Sequence, residues 1–239
     1  MATIRVNGVA VEYRQDGEGS DLLLLHSLLT EMSVFDRVVP LLARKHCVTR
    51  VNLPGFGASA PVALNTVAEY ADHAARALDA LSLPPSVDVF GNGFGAFVAL
   101  ELAIRHHQST YASGLDAVLD TAIGRMFPAV FQVAHPEVVM ARKAALAPAD
   151  AACFARACLA LAALDLRPRL ANIGNPTLVM CGALDQTTPP ALAREVASAI
   201  PGAVYSDIEG SGHCPMLEQP EALVSKMESF ISESRVRHA

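Results

Sequence analysis

Val87-Asp88-Val89-Phe90-Gly91-Asn92-Gly93-Phe94-Gly95-Ala96 decides how the rest of the chain is read. An apolar, β-branched run (Val87, Val89, Phe90) breaks into glycines and passes directly into Ala96-Phe97-Val98-Ala99-Leu100-Glu101-Leu102-Ala103, a strong helix former. Strand, sharp Gly-rich turn and helix are the context of a nucleophile elbow, Gly-x-Ser-x-Gly. Gly91 and Gly95 take the flanking positions, and Gly93 stands where the nucleophile belongs. Glycines also serve ordinary strand-to-helix turns, because they adopt positive φ freely. A dinucleotide fingerprint would lie in the first βα unit, with an acidic residue about 20 positions further on. Here several strand-like runs come first.

Downstream, Thr177-Leu178-Val179-Met180-Cys181 reads as a strand and Gly182-Ala183-Leu184-Asp185 as its loop. A helix near Ala191–Ile200 leads to a last strand, Val204–Ile208, and the loop Gly210-Ser211-Gly212-His213-Cys214-Pro215. Asp185 and His213 therefore each follow a strand end, in the order nucleophile position, acid, histidine. Ends of neighbouring parallel strands meet at the carboxyl edge of a sheet, where open α/β sheets bind ligands. An acid placed there holds a histidine in one tautomer and stabilises its protonated form. Taken singly, Asp185 is a turn aspartate and His213 a loop histidine; with the elbow they read as a site.

Upstream, Thr3–Val6 and Val9–Tyr13 alternate around Asn7-Gly8, a strong hairpin signal. Leu22–Leu25 is an apolar strand ending at His26-Ser27-Leu28-Leu29, and a helix is expected over roughly Val34 to Arg44. Cys47–Val51 is the next strand, with Asn52-Leu53-Pro54-Gly55-Phe56-Gly57 its loop. Thr66-Val67-Ala68-Glu69 forms a capping box ahead of an apolar helical face, and Pro84-Pro85 stops that helix. Asp116–Leu119 is read as a further strand. From Ala122 to Leu170 the chain is Ala-rich and helical, broken near Pro128, Pro136, Pro148 and Pro168. The pattern predicts one α/β domain with a mainly parallel sheet covered on both faces, its core formed by residues 1–121 and 171–239. Residues 122–170 would be an inserted helical cap, and a C-terminal helix begins near Pro220.

Composition excludes several classes. In 239 residues, 52% are hydrophobic and 18% charged, too apolar for disorder. A formal net charge of −6, without any Lys/Arg-rich run, argues against a nucleic-acid partner. Asp21–Leu25 is too short to span a bilayer, and the N-terminus carries no signal pattern. Cys47, Cys153, Cys158, Cys181 and Cys214 are odd in number and without paired spacing, as expected of reduced thiols in a cytoplasm rather than disulfides or a zinc site. The expectation is a cytoplasmic protein with a small-molecule ligand, no membrane partner, and no cofactor or metal.

Over nearly its whole length the chain resembles the α/β-hydrolase family, most of all the 3-oxoadipate enol-lactonase type and its esterase relatives. His26-Ser27-Leu28 resembles the oxyanion loop of that lactonase group, and Asn52-Leu53-Pro54-Gly55-Phe56-Gly57 its Asp-x-x-Gly-x-Gly loop, with Asn52 replacing Asp. His135-Pro136-Glu137, Asp165-Leu166-Arg167-Pro168, Pro176-Thr177-Leu178-Val179, Thr188-Pro189-Pro190 and Gly212-His213-Cys214-Pro215 look like the same group. The resemblance implies an oxyanion hole formed by the backbone amides of Leu28 and Phe94, with Asp185 and His213 as acid and base. The family serine falls on Gly93, which has no nucleophilic atom.

A glycine at the elbow fits an inactivated variant of a serine hydrolase, or a natural chain that lost or changed its chemistry. Three substitute nucleophiles can be weighed, Ser27 in the oxyanion loop, Cys214 beside His213 and Cys181 in a strand, and each has a plainer structural role. Three functions follow: an ester or lactone hydrolase by lineage, a cofactor-independent lyase or isomerase using the Asp185–His213 pair, or a non-catalytic binder of small molecules. Arg125, Arg142 and Arg156 are the candidate cations of the cap for an acidic substrate, since Arg matches carboxylates bidentately. Otherwise they are solvated surface charges.

Overall fold

The computed structural model describes residues 2–28, 30–84, 86–106, 109–113, 126–146 and 148–237, with the backbone alone at 109–113, 146 and 237. β1 (Ala2–Val6) and β2 (Val9–Asp16) form the expected hairpin, with Val6 paired to Val9. Asn7 and Gly8 both have positive φ, 50° and 82°, the turn geometry that matches right-handed strand twist.

The remaining strands are β3 (Ser20–Leu25), β4 (His46–Val51), β5 (Asp88–Asn92), β6 (Ser109–Ser113), β7 (Thr177–Gly182) and β8 (Val204–Ile208), in the spatial order β1-β2-β4-β3-β5-β6-β7-β8. β1 and β4 pair antiparallel with β2, and every other pairing is parallel. The expected strand Asp116–Leu119 lies outside the described residues. The strand that pairs with both β5 and β7 is Ser109–Ser113, a short run with no apolar alternation to announce it.

The helices are α1 (Val39–Leu42), α2 (Val67–Ala80), α3 (Phe94–His106), α4 (Ala129–Ala134), α5 (Pro136–Leu146), α6 (Ala151–Ala162), α7 (Pro190–Ala199), α8 (Pro215–Glu218) and α9 (Pro220–Arg237). β3 shows why its run is continuous rather than alternating. Leu22 and Leu24 pack with Phe35, Phe90 and Met227 on the α1/α9 face, while Leu23 and Leu25 pack with Tyr70, Val89 and Val98 on the α2/α3 face. A parallel strand buried on both sides has no polar face to keep.

Two helices differ from expectation. Instead of one helix over Val34 to Arg44 there is a 3₁₀ turn, Met32–Phe35, followed by the short α1. Pro40 has no N–H to donate to residue 36, so the helix restarts with Pro40 in its first turn, where no donor is required. α2 begins with the predicted capping box, Thr66 accepting from the Glu69 N–H (3.2 Å) and Glu69 from the Thr66 N–H (3.1 Å). It ends before the prolines, where Ser82 turns to φ 57° and the Leu83 N–H reaches back to the Leu78 carbonyl (3.0 Å).

Between β6 and β7 the described residues hold α4, α5, α6 and a 3₁₀ turn, Arg167–Asn172, and no strand. This insertion touches the loops at the carboxyl ends of three strands. Met126 accepts from the His213 N–H (2.9 Å), the Asp150 N–H donates to the Gly55 carbonyl (2.7 Å), and Arg142 reaches Ser33 (2.9 Å). Its return to β7 is anchored by Arg169, whose guanidinium holds the Glu101 carboxylate through two bonds of 2.6 and 3.1 Å. Glu101 is 2% exposed on α3. Removing only the cation leaves a buried charge without its partner, so Arg169→Met should cost roughly 3 kcal/mol, read as a lowered urea midpoint at unchanged m-value. Among the described residues no helix is long and apolar enough to cross a membrane.

Candidate active site

β5 ends at Asn92, and Gly93 turns the chain at φ 54° into the first residue of α3, Phe94. The flanking glycines are needed for close backbone approach. A Cβ on Gly91 would lie 2.2 Å from the Gly95 carbonyl oxygen, and one on Gly95 would lie 2.3 Å from that of Leu25. The Gly-x-x-x-Gly frame thus packs the first turn of α3 directly against β3 and β5. Gly93 occupies the left-handed region, which non-glycine residues enter only at a cost.

Asp185 and His213 meet at this edge. The loop after β7 is stitched to the loop after β8, with the Ala183 N–H donating to the Ile208 carbonyl (3.0 Å) and the Leu184 N–H to that of Ser211 (2.8 Å). His213 Nδ1 lies 2.9 Å from Asp185 Oδ2, and both side chains are buried. Because the carboxylate accepts, Nδ1 carries the proton, and the basic lone pair of the neutral ring is on Nε2. Asp185 is held from behind as well. Its Oδ1 accepts the N–H groups of Thr187 (2.8 Å) and Thr188 (3.0 Å), and its Oδ2 the Thr188 hydroxyl (2.9 Å). Burial opposes ionisation of this carboxyl, but the His213 bond and charge, together with the Thr188 donors, outweigh it and hold the pKa below the usual carboxylate value.

Asn92, fully buried one residue before Gly93, donates to the His213 carbonyl oxygen (3.2 Å) and ties the elbow to the histidine loop. The oxyanion loop is fixed by His26. The Leu53 N–H donates to His26 Nε2 (2.9 Å), so the ring proton is on Nδ1 and donates to the Ser27 carbonyl (2.8 Å). Burial pushes His26 down to about 4, so the ring stays neutral near pH 7. Leu28 follows in this loop, 1% exposed. The Phe94 N–H, one of the two expected oxyanion donors, lies 3.4 Å from the Ser27 hydroxyl. A ligand oxygen arriving at that amide would share it with Ser27.

The substitution of Asn52 for Asp has a local reason. Asn52 donates to the buried Glu12 carboxylate (2.7 Å), while its carbonyl oxygen accepts the Met32 N–H (2.7 Å). An aspartate could not donate, and would set two carboxylates face to face. Cys181 is structural: its Sγ lies 3.2 Å from the Thr188 carbonyl, and burial pushes the thiol up to about 12. Cys214 is buried, with its N–H held by Glu218.

Of the cationic candidates, Arg125 lies outside the described residues. Arg142 is engaged by Glu31 (3.5 Å) and Ser33, and Arg156 is at the surface, 3.3 Å from Asn65. An acidic ligand would find Arg142 already neutralised. Among the described residues no cluster of three or more His, Cys, Asp and Glu side chains is placed to hold a metal ion.

The sequence model of the alpha/beta hydrolase family matches residues 22–226. The 3-oxoadipate enol-lactonase 2 of Acinetobacter baylyi is 27% identical, over 96% of this chain and 96% of its own. The polyketide synthase ThaQ of Burkholderia thailandensis is 28% identical over 95% of this chain, which spans only 12% of that much longer protein. Among solved structures, the enol-lactonase from Burkholderia xenovorans LB400 superposes with a TM-score of 0.89 at 25% identity, covering 97% of this chain and all of its own.

Proposed function

The chain belongs to the alpha/beta hydrolase family, and from that premise we propose that it is, by lineage, a hydrolase of carboxylic esters or lactones in which water replaces the missing serine. The observation that carries the reading is the buried 2.9 Å bond between His213 and Asp185 at an elbow of intact backbone shape but without a nucleophile. His213 Nε2 takes a proton from a water set against the substrate carbonyl, and the hydroxide adds to the carbon. The carbonyl oxygen becomes an oxyanion held by the Phe94 and Leu28 amides. As the carbon–oxygen bond breaks, the imidazolium returns its proton to the leaving alkoxide, giving acid and alcohol, or one hydroxy acid from a lactone. Asp185 stabilises the imidazolium between the two proton transfers. The helical insertion, residues 122–170, acts as the cap that selects the ligand. The relatives named enol-lactonase are the support for including lactones.

The test is turnover of short activated esters and enol-lactones by the chain as it stands and by His213→Ala. Hydrolysis above the buffer rate, falling roughly 10²–10⁴-fold in His213→Ala, is the expected result for a general base. A second reading is favoured by the same pairing of an intact base with an absent nucleophile: proton abstraction from carbon, as in a cofactor-independent lyase or isomerase. Equal, background rates for both proteins on every ester and lactone would overturn the hydrolase reading. Binding without turnover would then mark a non-catalytic small-molecule binder.

A further inference from the structure

Glu218, at the end of α8, has no part in the chemistry above, yet its carboxylate brackets the base. The Gly212 N–H donates to Oε2 (2.9 Å) and the Cys214 N–H to Oε1 (3.0 Å), so the carboxylate holds the N–H groups of the residues before and after His213. The Ser211 side chain also hydrogen-bonds it. Glu218 is 8% exposed, and the guanidinium of Arg37 goes to the carbonyl of the neighbouring Leu217. Of the remaining groups of His213, the N–H is taken by Met126 and the carbonyl by Asn92. The Cys214 N–H lies in the peptide plane that follows the His213 Cα, the His213 N–H in the plane that precedes it, and the Gly212 N–H in the plane before that. The carboxylate thus holds the backbone two residues to one side of the histidine together with the backbone on its other side, and Met126 holds the plane between.

We infer that Glu218 is a positioning residue, whose ionised carboxylate clamps the N–H groups of Gly212 and Cys214, the residues before and after His213, and so aims the imidazole at Gly93 and Asp185. The inference rests on the reading of His213 as the base. A carboxylate can accept both amides at once. A protonated carboxyl turns one oxygen into a donor and loses one of the two bonds. Burial pushes Glu218 up to about 7, with the Asp185 charge adding to the rise and the Gly212, Cys214 and Ser211 bonds opposing it. The groups that act on it are Asp185 from the loop after β7 and Ser211, Gly212 and Cys214 from the loop before α8, while Arg37 bonds the carbonyl of the neighbouring Leu217. The clamp therefore switches between two acceptors and one close to neutral pH.

The experiment follows the His213 ring by NMR, through its low-field Nδ1–H and its carbon-bound protons, from pH 5 to 9. It compares the wild-type chain with Glu218→Gln, and uses Glu101→Gln, a distant buried carboxylate, as control. The wild-type ring signals should show an inflection near pH 7 that Glu218→Gln removes, while Glu218→Gln shifts or broadens the Nδ1–H at every pH. Glu101→Gln should lower thermal stability and leave these signals in place. In a Gly93→Ser background, Glu218→Gln should lower kcat roughly 100-fold with KM little changed, the cost of an aim off by about 1 Å.

A Glu218→Gln protein that is merely less stable, with unaltered His213 signals and pH profile, overturns the inference. Should Glu218→Gln not fold, Glu218→Asp, which keeps the charge but draws the carboxylate back from the two N–H groups, decides in its place, and unaltered His213 signals in it have the same force. Loss of all turnover in Gly93→Ser would sink the hydrolase reading but leave these ring signals to decide the clamp.

Discussion

Gly93→Ser is expected to raise kcat/KM for an activated ester or an enol-lactone by on the order of 10³-fold or more. On the proposed reading Asp185, His213 and the Ser27–Leu28 loop already serve as acid, base and oxyanion loop, so only the covalent route is missing. The His213–Asp185 bond is 2.9 Å, and the Phe94 N–H stands next to the position that a serine would occupy. Gly93 at φ 54° has the left-handed backbone that an elbow residue requires. Serine would pay for that conformation with about 1–2 kcal/mol of stability, so the variant should melt lower as it gains activity. Steady-state kinetics of both proteins on the same ester and lactone, beside their thermal midpoints, check this. If the serine form shows no gain on any substrate while the glycine form transforms another ligand, the ancestral hydrolase machinery is not there.

In that serine background, Asp185→Asn should lower kcat by about 10⁴-fold. The geometry dictates which way the amide turns. Oδ1 accepts two backbone N–H groups, from Thr187 and Thr188, so an asparagine must put its carbonyl oxygen there. Its NH₂ then faces His213 Nδ1, which can only accept. The ring proton moves to Nε2, and the base points its donor at the nucleophile. Kinetics from pH 5 to 9 measure the loss, and a drop smaller than tenfold would mean that Asp185 does not orient the base.

The same substitution changes acid stability with a defined sign. The Asp185 pKa is lowered in the folded chain, so its ionised form adds stability above the ordinary carboxylate pKa. That stability is lost as the pH falls through the lowered value. Asp185→Asn should flatten the acid side of the stability curve.

Much of this was legible in the sequence because it is local. Asn7-Gly8 makes its turn from two adjacent φ values, and the Thr66/Glu69 box closes over three residues. The all-apolar Leu22–Leu25 run already states that both faces of its strand are covered. The spacing Gly91, Gly93, Gly95 marks an elbow whatever stands at its centre: the contact that forbids a Cβ on Gly91 is with Gly95, inside the turn itself, although the one on Gly95 is with Leu25 of β3. Asp185 and His213 could be named because each follows a strand end, and parallel strands bring such ends to one edge.

What only the tertiary structure decided are pairings between distant segments, which no local pattern records. Ser109–Ser113 is a strand because β5 and β7 flank it, not because its residues favour one. Asn52 became explicable only when Glu12, 40 residues earlier, was found at its side, and Arg142 lost its candidacy when Glu31 and Ser33 took its charge. Asn92 reaches His213 across 121 residues, and Glu218 looks in sequence like any helix-end acid. Its place on the N–H groups of Gly212 and Cys214 comes from folding α8 back under the loop that precedes it: a buried carboxylate takes its role from the donors that surround it, and those donors are chosen by the fold.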